Sequence, residues 1–355
     1  MAKILIKNGR VWNGEKFFFA DVLCRDKAIV RIAENITGNA DFTFDAKNKI
    51  VSAGLVDIHV HMKDLSPDLY GIQAEMSSLP FGVTFVNDAG SVKGDKLRAD
   101  CFGVKNTVFV GMDIEKNHIS VPHTEKLIDK FGSKAVGIKV YFDKAVSELS
   151  DITPLKEACE YAKSKNLRVM VHCSNSPTSM VEIVNTLSCG DILTHIFHGG
   201  DNSCIEDDFA AFTLAKEKGI YMDAGFAGFA HTDFANMKKA FEAGYFPDTI
   251  STDITCFSAY KRGGRYGMTM CMSMAKECGM SEADIFRAVT SAPAKALGRE
   301  SECGYLAEGK TADIAVFDFC DEGFDMTDNQ GNNFKSNKGY RCVLTMFDGQ
   351  IVYTH

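Results

Sequence analysis

A parallel (β/α)8 barrel of the TIM type, carrying a small β-sandwich domain built from both chain ends, is the α/β fold this sequence predicts. Three observations predict it. After Gly54, apolar runs rich in β-branched residues recur eight times at intervals long enough to hold a helix. The segments before Gly54 and after Arg299 read instead as short strands and turns. The eight-unit region spans about 240 residues, the ordinary size of such a barrel, and leaves a remainder of about a hundred.

Taken in order, the first fifty residues alternate apolar runs with turn signals: ILIKNGRVW, KFFFADVLC, KAIVRIAEN and DFTFDA before KNKIVSAG. This is a strand-and-turn pattern of antiparallel type. The eight barrel runs begin near Leu55 (LVDIHVH), Val83 (VTFVNDAG), Thr107 (TVFVGMD), Ala135 (AVGIKVYF), Leu167 (LRVMVHC), Ile192 (ILTHIFHG), Gly219 (GIYMDAG) and Thr249 (TISTDIT). Amphipathic candidates such as PLKEACEYAKSKN and DFANMKKAFEAG lie between them, the second followed by Tyr-Phe-Pro as a stop signal. A doubly wound sheet is the competitor, but it usually has fewer strands, and no GxGxxG turn follows any run here. Beyond the helical stretch ADIFRAVTSAPAKALG the chain returns to strand signals, GYLAEGKTADIAVFDF and then YRCVLTMFDGQIVYTH. Residues 1–53 and 300–355 are therefore expected to pair into one discontinuous β-sandwich domain beside a barrel of residues 54–299.

Composition narrows the function classes. Thirty-nine Lys and Arg against 47 Asp and Glu leave a net charge of −8, with no basic run longer than two residues. Electrostatic binding of nucleic acid or an anionic membrane is not supported. The N-terminal MAKILIKNGR carries Lys3 and Lys7 inside its only apolar stretch, and no run approaches the roughly 18 apolar residues of a membrane span, so a cytoplasmic location is expected. The 12 cysteines are scattered without CxxC pairs and read as reduced, mostly buried small hydrophobes.

Catalysis in such barrels sits at the carboxyl ends of the strands, and five of the eight runs end in a candidate ligand. His59 and His61 in DIHVH are one residue apart, which places both rings on one face of the first strand while Val60 points to the helices. Two neighbouring imidazoles suit a divalent metal, although an isolated inward histidine also reads as a hydrogen-bonded core residue. Lys139 in GIKVYF, His172 in MVHC, His195 in LTHIFHG and Asp253 in STDIT occupy the fourth, fifth, sixth and eighth runs. A charged lysine buried between Ile138 and Val140 is costly unless paired, so Lys139 should be neutral or face an anion. A neutral amine can take up carbon dioxide as a carbamate, whose two oxygens can bridge two metal ions. Asp253 meets the same burial penalty and calls for a cation.

GLVDIHVH, the lone strand-four lysine, the single histidines of runs five and six, Asp253 and the closing GYLAEGKTADIAVFD together resemble the amidohydrolase superfamily, in its binuclear dihydroorotase-like branch. The resemblance covers essentially the whole chain. VNDAGS (86–91), GYFPDTISTD (244–253) and VTSAPAKALG (289–298) are similar to the amidohydrolase/deacetylase group of that branch. The resemblance implies two divalent ions, with zinc as the default. His59, His61 and Asp253 would hold the more buried one, His172 and His195 the more exposed one, and Lys139, carboxylated by carbon dioxide, would bridge them. It implies hydrolysis of an amide, N-acyl or cyclic amide bond of a small molecule by attack of a metal-bridging hydroxide, with Asp253 as general base and then acid. It also implies a tendency toward homo-oligomers.

The pattern has departures, and they bear on substrate. Dihydroorotases carry an arginine two places after the second histidine, where this chain has Lys63, which offers charge without the planar fork. In the deacetylase group an arginine commonly follows the bridging lysine by two residues, where this chain has Tyr141. The family's GHG after strand seven is replaced by Gly225-Phe226-Ala227. A pocket shifted toward a less anionic or more aromatic substrate is the expectation. Further substrate-contact candidates are His198, three residues past His195, and Arg265 in the loop AYKRGGRYG, which also holds Lys261 and Arg262 and reads either as a lid or as a solvated basic turn. His118 and His123 read as exposed loop residues, and Cys173 as helix-facing packing.

Three alternatives stand beside the amide hydrolase. An esterase or lactonase could use the same site. A mononuclear deaminase would typically follow the strand-five histidine with HxxE, whereas this chain reads His172-Cys-Ser-Asn175. A catalytically silent dihydropyrimidinase-like scaffold would be expected to lose ligands first, and none is missing.

Overall fold

The computed structural model describes residues 2–62, 70–90, 103–261 and 264–355. The N-terminal strands are β1 (Lys3–Trp12), β2 (Phe17–Arg25), β3 (Ala28–Ala33), β4 (Phe42–Asp45) and β5 (Ile50–Ala53). The antiparallel expectation holds for β1, β2 and β3, but β4 and β5 both pair parallel to β1. The reason lies in the connection before β4. Its Ile36 is buried against Leu5 and Leu23, and the Ile36 amide donates to the Asp21 carboxylate at 2.8 Å, so the chain crosses one face of the sheet before re-entering it.

The barrel strands are β6 (Leu55–Val60), β7 (Val83–Asp88), β8 (Lys105–Glu115), β10 (Ala135–Tyr141), β11 (Arg168–His172), β12 (Ile192–Thr194) and β13 (Tyr221–Asp223), each parallel to its neighbour. β9 (His118–Ser120) folds back antiparallel on the outer end of β8. Helices α1 (Ala74–Ser77), α2 (Val121–Phe131), α3 (Thr153–Ser164), α4 (Met180–Thr186), α5 (Glu206–Lys218), α6 (Phe234–Glu242), α7 (Cys256–Lys261), α8 (Met268–Glu277), α9 (Glu282–Ala288) and α10 (Ser291–Leu297) follow along the chain. α6 starts where its sequence places a cap, the Asp233 carboxylate accepting from the Ala235 and Asn236 amides.

The eighth run is a correction to the strand count. Residues 249–254 form no regular strand, only single bridges from Thr249 to Asp223 and from Ile254 to Val60, and these still close the ring. Ladder bonds are lost there because the segment bonds inward. Thr249 and Ser251 donate their hydroxyls to Asp223, while Thr252 gives both its amide and its hydroxyl to Asp57.

At the C-terminus, β14 (Ile314–Cys320), β17 (Gly339–Phe347) and β18 (Gln350–Thr354) extend the N-terminal sheet through the β14–β5 pairing. Strands from both chain ends thus lie in one eight-stranded mixed sheet with its own core, including Ile6, Val22, Val51, Ile314 and Leu344. A hairpin of β15 (Phe324–Thr327) and β16 (Asn333–Ser336) leaves this sheet and packs Phe334 on Phe234 of α6. No described helix is long and apolar enough to cross a membrane, and the described cysteines form no disulfide.

Candidate metal centre

The six predicted ligands are all buried and meet at one end of the barrel. His59 and His61 point the same way from β6, as their spacing demands, and the closing segment brings Asp253 against them. The Asp253 amide donates to the His59 carbonyl at 2.7 Å, and the His61 amide to the Ile254 carbonyl at 3.1 Å. Asp253 Oδ1 lies 2.9 Å from His61 Nε2 and 3.3 Å from His59 Nε2 with no hydrogen-bond partner. The tautomer of His59 follows from its back side. Thr194 donates its hydroxyl to Asp223 at 2.7 Å, so its oxygen accepts from His59 Nδ1 at 3.0 Å and leaves Nε2 with its lone pair facing the cluster.

Lys139 is completely buried, its Nζ 3.0 Å from His59 Nε2 and 3.5 Å from the Met170 sulfur. Burial pushes the amine down to about 8, partly opposed by Asp253 and Asp223. A free-base fraction is thereby available near neutral pH, the form that combines with carbon dioxide. Gly137 makes this placement fit, since a Cβ there would stand 2.5 Å from the Phe109 ring.

His172 and His195 face each other with ring centroids 4.4 Å apart. Asp143 Oδ2 holds His172 Nε2 at 3.1 Å, and the Gly225 carbonyl accepts from His195 Nδ1 at 2.6 Å, which leaves the buried His195 Nε2 without a partner. Gly225 has a φ of +52, and a Cβ on it would sit 2.6 Å from His195 Nδ1, so the close approach requires glycine. His195 and Asp253 adopt φ values of 69 and 47, left-handed conformations that persist only where surroundings over-determine them.

Electrostatics agrees with a cation at this spot. Burial, then Lys139, pushes His59 down to about 4; burial, partly opposed by Asp143, pushes His172 down to about 3; burial holds His195 well below the usual range. All three are neutral lone-pair donors at physiological pH. Burial would raise Asp253, but His59 and His61 outweigh it and hold the carboxyl below the usual range. Neutral imidazoles, an anionic carboxylate and two orphaned buried ligand atoms make a donor set that could hold a divalent metal.

The remaining candidates are placed as follows. Tyr141 stands beside the cluster, its ring 5.9 Å from His172 and its hydroxyl donating to the Gly90 carbonyl at 3.0 Å. Lys63 and Arg262 lie outside the described residues. His198 is buried in the loop after β12, where its Nδ1 accepts the Gly200 amide at 3.2 Å and its carbonyl accepts from Asn236. Arg265 lines a cavity of about 570 Å³ between α8 and the C-terminal strands, with Asp321, Glu322 and Tyr340. His118 and His123 are not loop residues: His118 is exposed at the start of β9 and His123 half-buried in the first turn of α2, where they pair with Glu157 and Asp113 away from the cluster. Cys173 is fully buried and packs outside the ligand set, its thiol donating to the Thr194 carbonyl.

One imidazole was not foreseen. His231, eight residues past the end of β13, lies 4.8 Å from the His172 ring and 4.5 Å from His195, and its ligand nitrogen falls within 4.8 Å of theirs. Its only sequence signal is a histidine in the connection where Gly225-Phe226-Ala227 departs from GHG. The orienting groups Thr194, Asp223 and Asp143 were likewise unmarked.

Residues 50–352 match the amidohydrolase family. A deacetylase of Enterococcus faecalis is 29% identical over 373 aligned residues, covering 98% of each chain. A dihydroorotase of Lactobacillus acidophilus is 24% identical over 451 aligned residues, covering 99% of each. Among solved structures, an adenine deaminase superposes with a TM-score of 0.85 at 26% identity over the full length of both chains.

Proposed function

The chain belongs to the amidohydrolase family, metal-dependent hydrolases acting on C–N bonds, and from that premise we propose that it cleaves an amide, N-acyl or cyclic amide bond of a small molecule at a binuclear centre. The observation that carries the proposal is the convergence of His59, His61, Lys139, His172, His195 and Asp253 at one barrel mouth. His59, His61 and Asp253 would hold one ion, His172 and His195 the other, and Lys139 as a carbamate would join them. Divalent ions bound there, with zinc as the default, polarise a carbonyl and lower the pKa of water.

The chain's own groups do the rest. Asp253, anionic and set between His59 and His61, takes the proton of the attacking water and delivers it to the leaving nitrogen. Asp143 and Thr194 keep the imidazoles in the tautomers that face the substrate side. Tyr141, together with Tyr70 tilted against His61 at 5.1 Å between ring centroids, gives the mouth an aromatic lining that favours neutral over acidic N-acyl compounds. The E. faecalis relative, named a deacetylase, supports N-acyl substrates. Residues 1–53 and 300–355 would form one domain flanking the 54–299 barrel.

The test joins metal analysis of protein purified without chelator to a hydrolysis panel of N-acyl amino acids, hydantoins, dihydropyrimidines and acyl esters. Two ions per chain and turnover of a C–N substrate are expected, and Lys139→Ala should hold fewer than two ions and be inactive. Two tightly held ions in that variant would overturn the carbamate. Turnover of esters alone would make the enzyme an esterase. Adenine belongs in the panel because of the adenine deaminase structure, and ammonia release from it would replace amide hydrolysis by deamination.

A further inference from the structure

We infer that His231 is a third imidazole ligand of the more exposed ion, which would then be held by His172, His195 and His231 together with the Lys139 carbamate. The inference rests on the binuclear reading above and changes the composition of one half of it. The three rings lie mutually within 4.8 Å, centroid to centroid. Each has one nitrogen engaged on its outer side: His172 Nε2 by Asp143, His195 Nδ1 by the Gly225 carbonyl, and His231 Nδ1 by the Ser174 hydroxyl at 3.2 Å. Each therefore keeps a second nitrogen for the space between them, and for His195 that atom is buried with no partner. Three imidazoles packed as mere filling would leave the buried His195 Nε2 unpaired at a cost, whereas a cation between the rings satisfies it and the free nitrogens of His172 and His231 together.

The loop that carries His231 is held as a ligand loop must be. The Asp233 amide donates to the Phe197 carbonyl at 2.7 Å, and the Asp233 carboxylate caps α6. From the other side, Asp328 in the β15–β16 turn accepts the Phe234 amide at 2.7 Å, and Asn332 donates to Asp233. The chain-end hairpin thus clamps the segment three residues after the histidine. Three histidines are a recognised ligand set for zinc, and here the carbamate would add a fourth ligand. An ion held this way relies less on the Lys139 carbamate than one held by two histidines.

Elemental analysis, competition with a chromophoric chelator and the visible spectrum of the cobalt-substituted protein test the inference on wild type, His231→Ala and His231→Gln. Far-UV circular dichroism checks that each variant folds. Two ions are expected in the wild type. In both variants one of them should weaken by more than about 100-fold, because groups that merely orient a ligand already cost about 10- to 100-fold. The cobalt bands should shift in step. Two ions of unchanged affinity with an unchanged cobalt spectrum would overturn the inference, and a raised KM on top of that would make His231 a substrate contact. A wild type that binds no ion would instead overturn the binuclear reading itself.

Discussion

His59, His61 and Asp253 reach the centre from two adjoining backbones, whereas His172 ends β11, His195 follows the end of β12 and His231 stands in the connection after β13. The first group is positioned by sheet register, since the amide of Asp253 bonds the carbonyl of His59 and the amide of His61 that of Ile254. The second group shares only the β11–β12 pairing of His172 with Thr194, and outer partners, Asp143, Gly225 and Ser174, aim its rings. Register is enforced cooperatively by the whole barrel, while an aiming hydrogen bond is a single contact. The half whose ligands are cross-bonded through their own backbones should therefore tolerate loss of an orienting side chain better than the half that depends on separate aiming bonds.

The largest of these effects is expected at Asp253, which is assigned the proton transfer. Asp253→Asn keeps the shape of the carboxylate and removes its basicity, and kcat should drop by about 10²- to 10⁴-fold or more with KM little changed. Near-normal turnover by that variant would move the proton-transfer role elsewhere. Next come the orienting groups. Asp143→Ala should weaken the His172 and His195 ion by about 10- to 100-fold, and Thr194→Val should weaken the His59 and His61 ion by less. Chelator competition on the two variants side by side measures the contrast, and equal losses would erase it.

The smallest effect is on the metal-free protein. His59 and His172 sit at about 4 and about 3 when folded, against about 6.5 in an unfolded chain. Below pH 6.5 the unfolded state binds protons that the folded state refuses, so stability falls as pH drops toward those values, by up to about 1.4 kcal/mol per pH unit for each imidazole. Asp57 opposes this. Burial raises it to about 7, so the folded state holds the extra proton between the ordinary carboxylate range and pH 7 and loses stability as pH rises there. The imidazole contribution should dominate, giving a melting temperature that falls from pH 6.5 toward 4. His172→Gln should flatten that slope at least as much as His59→Gln, and a profile unaffected by either would separate these rings from the acid sensitivity.

Much of the fold and most of the centre were legible because strands carry a period. The alternation in DIHVH puts His59 and His61 on one face, and the apolar flanks of Lys139 mark a buried amine. His172, His195 and Asp253 were found by standing at the ends of apolar runs. The parallel re-entry of β4 and β5 was hidden, because a short strand's sequence records its faces and not its direction. The irregular closing segment was hidden for a related reason, its hydroxyls choosing Asp223 and Asp57 over the ladder.

By itself, the sequence determined the α/β layout, the strand-borne ligands and the chemistry those ligands admit, since periodicity and burial cost act locally and leave their mark on neighbouring residues. Only the tertiary structure decided that His231 joins His172 and His195, that His198 instead accepts the Gly200 amide in a buried loop, and that Arg265 lines a separate cavity. Loop residues obey no period, and their positions are set by contacts such as Asp233 to Phe197 and Asp328 to Phe234, whose partners lie 36 and 94 residues apart along the chain.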